Sequence, residues 1–129
     1  MKHITQHRVR YSDTDHFGVV YYARYLDWFE AGRTEILRVN GITYSELETK
    51  GMFAPVVEVK VTYKKPARYD DIVELETTIN SIGNSSVKFS YKAYNQKKEL
   101  LLEAYTVNVF INKEMKPVRV PDEIRKVLE

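Results

Sequence analysis

The chain has 129 residues, 43% hydrophobic and 12% aromatic, with ten tyrosines and five phenylalanines; this is one domain's length, has enough apolar content for a core, and excludes a disordered or low-complexity chain. Twenty Lys and Arg against 18 Asp and Glu leave a net charge of +2, too weak a balance to call for a nucleic-acid partner. The absence of cysteine rules out disulfides, thiolate nucleophiles and cysteine-ligated metals, and with no long apolar run near the N-terminus the expectation is a cytoplasmic protein without membrane insertion.

Residues 3–11 have β-character and end at Tyr11, after which Ser12, Asp13 and Asp15 bring turn-forming side chains. His3 and His7 share one face of this strand and are expected at the surface. From about Tyr22 the period changes. Tyr22, Leu26, Phe29, Ile36 and Val39 recur at helical spacing, predicting a helix of about five turns with one apolar stripe. Asn40-Gly41 suits a left-handed stop. Gly32 falls mid-helix, where it costs about 1 kcal/mol relative to alanine, so a close approach to a sheet is expected there. Thr43 and Glu46 have capping-box spacing and predict a short helix from Tyr44 to about Lys50.

Beyond Phe53 the helical pattern is gone. Val57, Val59, Val61 and Tyr63 alternate with Glu58, Lys60, Thr62 and Lys64, which predicts a strand with one wet face. Three further strands are predicted over Ile72–Ile82, Val87–Tyr94 and Leu100–Ile111. The turn signals Gly83-Asn84-Ser85 and Asn95-Gln96-Lys97 between them imply an antiparallel meander. Pro117 and Pro121 bracket a last extended piece, and Asp122 is expected to cap a short terminal helix. Strand, long helix, short helix and four strands belong to the α+β class, a helix packed on one antiparallel sheet. Open sheet edges in so small a domain favour an oligomer.

The stretch Tyr11 to Tyr25 holds the candidate chemistry. Asp13, Asp15 and Gly18 sit in the turn just before the long helix. A helix start presents unpaired N–H groups and partial positive charge, so it can hold a carbonyl oxygen that becomes negative during addition. A carboxylate beside it can act as general base toward water or attack an acyl carbon. Gly18 would allow close backbone approach. On spacing alone, ordinary helix capping is the favoured explanation for Asp and Ser at these positions. Two neighbouring carboxylates offer too few oxygens for a hard cation, so no metal is expected. His16 is read as a turn residue close enough to tune a substrate or a carboxylate.

Taken whole, this stretch resembles the active-site signature of the 4-hydroxybenzoyl-CoA thioesterase family of the hotdog superfamily. Ala23-Arg24-Tyr25-Leu26, Arg33-Thr34-Glu35, Lys65-Pro66-Ala67-Arg68-Tyr69-Asp70-Asp71 and Lys116-Pro117 followed by Pro121 are similar to the short-chain acyl-CoA thioesterases associated with the Tol-Pal cluster. The resemblance implies a hotdog fold, a long central helix wrapped by a curved antiparallel sheet of about five strands. It also implies a homodimer or homotetramer with active sites at the dimer interface. It makes Asp15 the catalytic carboxylate and the Tyr22 backbone N–H the oxyanion donor, with Tyr11 beside the site. Tyr22 stands where the Tol-Pal-type members carry His.

The activity so implied is hydrolysis of a small acyl-CoA, with neither metal nor cofactor, because a thioester carbonyl has little resonance stabilisation and a good thiolate leaving group. Substrate-binding positions are Tyr11, His16, Gly18 and Val19, with Lys64, Lys65, Arg68 and Lys88 as a basic group for the phosphates of coenzyme A; a lysine-protected strand edge accounts for the same charges. Tyr21, Tyr22, Tyr25 and Phe17 are candidates, with Tyr11, for an acyl pocket or for plain packing. Glu30 and Glu35 are rival helix acids. Competing functions are a non-catalytic acyl-CoA or acyl-carrier-protein binding module, a hydroxyacyl-thioester dehydratase or hydratase, and an interaction protein of an envelope complex. The dehydratases usually rely on a His with an acid, and the predicted helix contains no His.

Overall fold

A computed structural model describes residues 1–128. Five strands, β1 (Lys2–Arg8), β2 (Val56–Tyr63), β3 (Ile72–Ile82), β4 (Ser86–Tyr94) and β5 (Leu100–Val109), form one sheet in the order β1-β3-β4-β5-β2. Every pairing is antiparallel. Helices α1 (Tyr25–Arg38), α2 (Tyr44–Thr49) and α3 (Asp122–Arg125) complete the chain, and a 3₁₀ turn over Tyr22–Arg24 leads into α1. The expected α+β arrangement is present, with the meander formed by β3, β4 and β5. Among the described residues no helix is long and apolar enough to cross a membrane.

Helix α1 lies against β1 and β3. Its buried face is Tyr25, Trp28, Phe29, Gly32, Arg33, Ile36 and Leu37. The predicted stripe is therefore misplaced at three of its positions, since Tyr22, Leu26 and Val39 are exposed. The reason is that Tyr22 precedes the α-helix, and the line of contact runs through Gly32. A Cβ there would stand 2.2 Å from Thr77 Oγ1 and 3.1 Å from Leu75 Cδ2, so helix and sheet meet almost backbone to side chain. Phe29 stacks on Tyr91 of β4 at 4.3 Å and 16°, and its full burial contributes about 1.5–3 kcal/mol. The helix ends as the sequence predicts: Gly41 has φ 81°, its N–H donates to Arg38 O at 2.9 Å, and the Ile42 N–H donates to Leu37 O at 3.0 Å.

Thr43 Oγ1 accepts from the Glu46 N–H at 3.2 Å and starts α2. Asp122 is not a cap. Pro121 precedes α3 and its carbonyl accepts the Ile124 and Arg125 N–H groups, while Asp122 pairs with Arg119 at 3.6 Å. His7 is not a surface residue either: its ring stacks on Trp28 at 5.4 Å because it faces the start of α1 from the inner side of β1, and burial holds its pKa below the ordinary value of 6.5.

The expectation of one wet face on β2 also fails. Val57 is 61% exposed, Val59 45% and Tyr63 46%, and Val61 alone of the four is half-buried. Strand β2 lies at the sheet's edge beside β5, while α1 covers the opposite side. Val59 and Tyr63 face the helix side but reach beyond its cover.

Candidate active site

The chain leaves β1 and is fastened to the loop before β3 by Val9 N–H to Asp71 O at 2.8 Å and Asp70 N–H to Val9 O at 2.9 Å. The two aspartates that follow do different things. Asp13 is buried, accepts the Arg10 N–H on Oδ2 at 2.8 Å and meets Arg24 Nε at 3.4 Å through Oδ1. Its carbonyl accepts the Tyr21 N–H at 2.9 Å. Asp13 thus ties this turn to the start of the helix, a structural role that uses both carboxylate oxygens.

Asp15 is half-buried and opens a tight turn. Its N–H donates to Val19 O at 2.9 Å, its carbonyl accepts the Gly18 N–H at 3.0 Å, and Gly18 closes the turn at φ 81°, a conformation that suits glycine. Oδ1 accepts the Phe17 N–H at 2.8 Å; among the described residues Oδ2 has no hydrogen-bond partner. Val19 bridges to Arg68 and the Val20 N–H donates to Ala67 O at 2.8 Å, so the turn is pinned to the segment before β3. The result is a carboxylate of fixed orientation with one oxygen unengaged.

The Arg24 N–H donates to Tyr21 O at 2.9 Å, which sets the peptide plane between Tyr21 and Tyr22. Among the described residues the Tyr22 N–H has no acceptor, as is usual for first-turn amides. The Tyr22 carbonyl accepts from Tyr63 Oη at 2.7 Å. A cleft of about 290 Å³ opens here, lined by Val19, Val20, Tyr22, Tyr25, Tyr63, Lys64, Lys65 and Pro66. Burial pushes the Tyr25 phenol up to about 12, against an opposing backbone hydrogen bond from Ala67. Burial first and Tyr22 second raise the Tyr63 phenol. The cleft is therefore walled by neutral aromatic rings and rimmed by ammonium groups.

The structure thus brings Val19, Tyr22, Lys64 and Lys65 to one cleft, with Asp15 hydrogen-bonded to Val19 in the adjoining turn. Arg68 is exposed beside it and carries the backbone bridge to Val19. Lys65 is engaged, its Nζ 2.6 Å from Glu99, a contact that holds the Glu99 carboxyl below the usual range. Tyr11 is 80% exposed and meets Tyr69 edge-on at 5.7 Å. His16 is exposed with its ring 4.6 Å from Phe17.

Within one chain Lys88 lies apart from Lys64, Lys65 and Arg68. Residues of β4 alternate between faces, and Lys88 pairs with Val107, itself opposite Glu58, five residues from the Tyr63 end of β2. Its ammonium lies 4.3 Å over the Tyr105 ring, in a wider polar trough on the side of the sheet away from α1. Neither rival acid lines the cleft: Glu30 is exposed and Glu35 pairs with Arg38 at 3.4 Å. Among the described residues no group of three His, Asp or Glu is placed to hold a metal ion. Tyr63 is, with Val20 and Pro66, a cleft residue that sequence reasoning misses. It ends an alternating strand and reads as a sheet position, and its partner Tyr22 lies 41 residues away.

The family model described as the thioesterase-like superfamily matches residues 9–128. YneP of Bacillus subtilis, provisionally named an acyl-CoA thioesterase, is 38% identical over 112 residues, 86% of this chain and 81% of that protein. The acyl-CoA thioester hydrolase YbgC of Escherichia coli O157:H7 is 37% identical over 118 residues, 91% of this chain and 88% of that one. Among solved structures, a DHNA-CoA thioesterase from Staphylococcus aureus superposes with a TM-score of 0.93 at 30% identity, covering 98% of this chain and 91% of that one. With the hotdog arrangement and the sequence match in agreement, the chain belongs to the thioesterase-like superfamily.

Proposed function

We propose that the protein is an acyl-CoA thioesterase that hydrolyses the thioester of a small acyl-CoA to free acid and CoA. One observation carries this reading: a carboxylate with an unengaged oxygen (Asp15) and an unpaired helix-start amide (Tyr22) flank the same cleft wall, Val19–Val20. As a base, Asp15 takes a proton from water while the water oxygen attacks the carbonyl carbon. The oxyanion rests on the Tyr22 N–H. Collapse then breaks the C–S bond, and the departing CoA thiolate takes up the proton. As a nucleophile, an Asp15 oxygen forms a mixed anhydride with the same loss of thiolate, and water cleaves the anhydride. Lys64 and Arg68, for which no carboxylate partner is found among the described residues, are the cations available to the CoA phosphates. In the same reading Tyr11, His16 and Gly18 contact the acyl-CoA from the segment that carries Asp15.

The same reading has two copies pairing through their β2 edges, which would cover Val57 and Val59 and place the cleft at the interface; two such dimers would make a tetramer. Membership of the Tol-Pal-associated short-chain group rests on the segments at the start of and within α1, before β3, and at Lys116-Pro117 followed by Pro121. Tyr22 removes that group's imidazole but leaves its backbone donor. A thiol-release screen across short, long and aromatic acyl-CoAs tests the activity. Release for at least one class at a rate abolished by Asp15→Asn is the expected result. Acyl-CoA binding with no release from any class would replace hydrolysis by a binding role.

A further inference from the structure

The structure assigns Tyr63 as a positioning residue whose hydroxyl, by holding the Tyr22 carbonyl, aims the Tyr22 N–H at the oxyanion. This rests on the reading that the Tyr22 amide is the oxyanion donor. Tyr22 joins two peptide planes. The one carrying its N–H is set by the Arg24 N–H bonded to Tyr21 O at 2.9 Å. The one carrying its carbonyl is set by Tyr63 Oη at 2.7 Å. With both planes held, the φ and ψ of Tyr22 are fixed and so is the direction of its free N–H. A 3₁₀ turn of three residues lacks a run of internal bonds that would do this alone.

Tyr63 is suited to the task. It is the last residue of β2, paired across the sheet with Leu102, so its backbone is anchored in a regular ladder. Its ring lies 5.8 Å from that of buried Tyr25, which limits where the hydroxyl can point. It also lines the cleft, immediately before Lys64 and Lys65. A hydroxyl on a strand thereby supports an amide on a helix start, and an oxyanion donor contributes through preorganised geometry.

The test is Tyr63→Phe, which removes one oxygen and keeps the ring. Losing a whole oxyanion donor costs about 10²–10³ in kcat, so a misaimed donor is expected to lower kcat by about 10-fold to 100-fold. KM and the affinity of a non-hydrolysable thioether analogue of acyl-CoA should stay within about twofold. The Tyr22 carbonyl ¹³C resonance should move upfield in the same variant, a readout that does not depend on turnover. The proposal is overturned by an unchanged kcat in Tyr63→Phe while Asp15→Asn is inactive, or by a parallel loss of analogue affinity, which makes Tyr63 a substrate contact. An unmoved Tyr22 resonance also overturns it. Full turnover in Asp15→Asn defeats the role of Asp15, and no thiol release by the parent protein from any acyl-CoA defeats the proposed activity on which the Tyr22 donor depends, so these failures are separable from that of Tyr63.

Discussion

Replacing Asp15 by asparagine separates chemistry from structure because the two aspartates of the turn are bonded so differently. The amide oxygen of the substituted side chain can still accept the Phe17 N–H that Asp15 Oδ1 accepts at 2.8 Å, and the two backbone bonds that close the turn do not involve the side chain. The stability cost is therefore about 0.5 kcal/mol or less. What disappears is the basicity of the unengaged oxygen. General-base catalysis is worth about 10²–10⁴-fold, or about 2.7–5.4 kcal/mol in the barrier, and turnover should fall by at least that much. Asp13→Asn is the control. Asp13 is buried, accepts from the Arg10 N–H and meets Arg24, so its loss of charge should cost about 1–3 kcal/mol of folding free energy and a smaller share of activity per folded molecule. Thiol release with a chromogenic reagent, alongside urea unfolding of both variants, gives the rates and stabilities needed. An Asp15→Asn protein that turns over at more than about a tenth of the parent rate would refute the reasoning.

The exposed edge of β2 makes Val59→Asp a test of assembly: light scattering should show dissociation toward monomers, and an unchanged particle mass would remove β2 from the interface. His7 is held below 6.5 by burial, with Asp13 opposing, so the unfolded chain binds its proton first as pH falls. Stability should therefore be full above about pH 6.5 and decline below it until the folded pKa is passed; urea midpoints against pH should flatten in His7→Phe, which keeps the stack on Trp28. Lys64→Ala and Arg68→Ala should each raise KM for acyl-CoA about three- to tenfold, an effect that weakens with added salt, and leave KM for an acyl-pantetheine lacking the nucleotide unchanged. Steady-state kinetics on both substrates would expose a general folding defect as a rise in both.

The features legible from sequence are those whose cause is local. Gly32 marks the closest approach to the sheet, Asn40-Gly41 and Thr43 with Glu46 carry their own cap chemistry, and the hairpin turns divide three strands to within two residues at either end. The helix stripe is misframed because Tyr22 lies before the α-helix, and Leu26 and Val39 sit at opposite margins of the face that runs through Gly32. The two exposed faces of β2 depend on its rank in the sheet, and the remoteness of Lys88 depends on strand register. Neither is a property of the segment itself. Asp13 and Asp15 look alike in sequence; only the buried Arg24 contact and the position of Gly18 tell them apart.

The contact at Gly32 limits where an acyl tail can go. Since even a methyl group there would collide with Thr77 Oγ1, no methylene chain can thread between α1 and β3 at that crossing. Under the proposed function, a tail entering beside Tyr22 would run toward β2 and β5, away from the strands that α1 packs on, and a second molecule of the same chain would have to close over its far end.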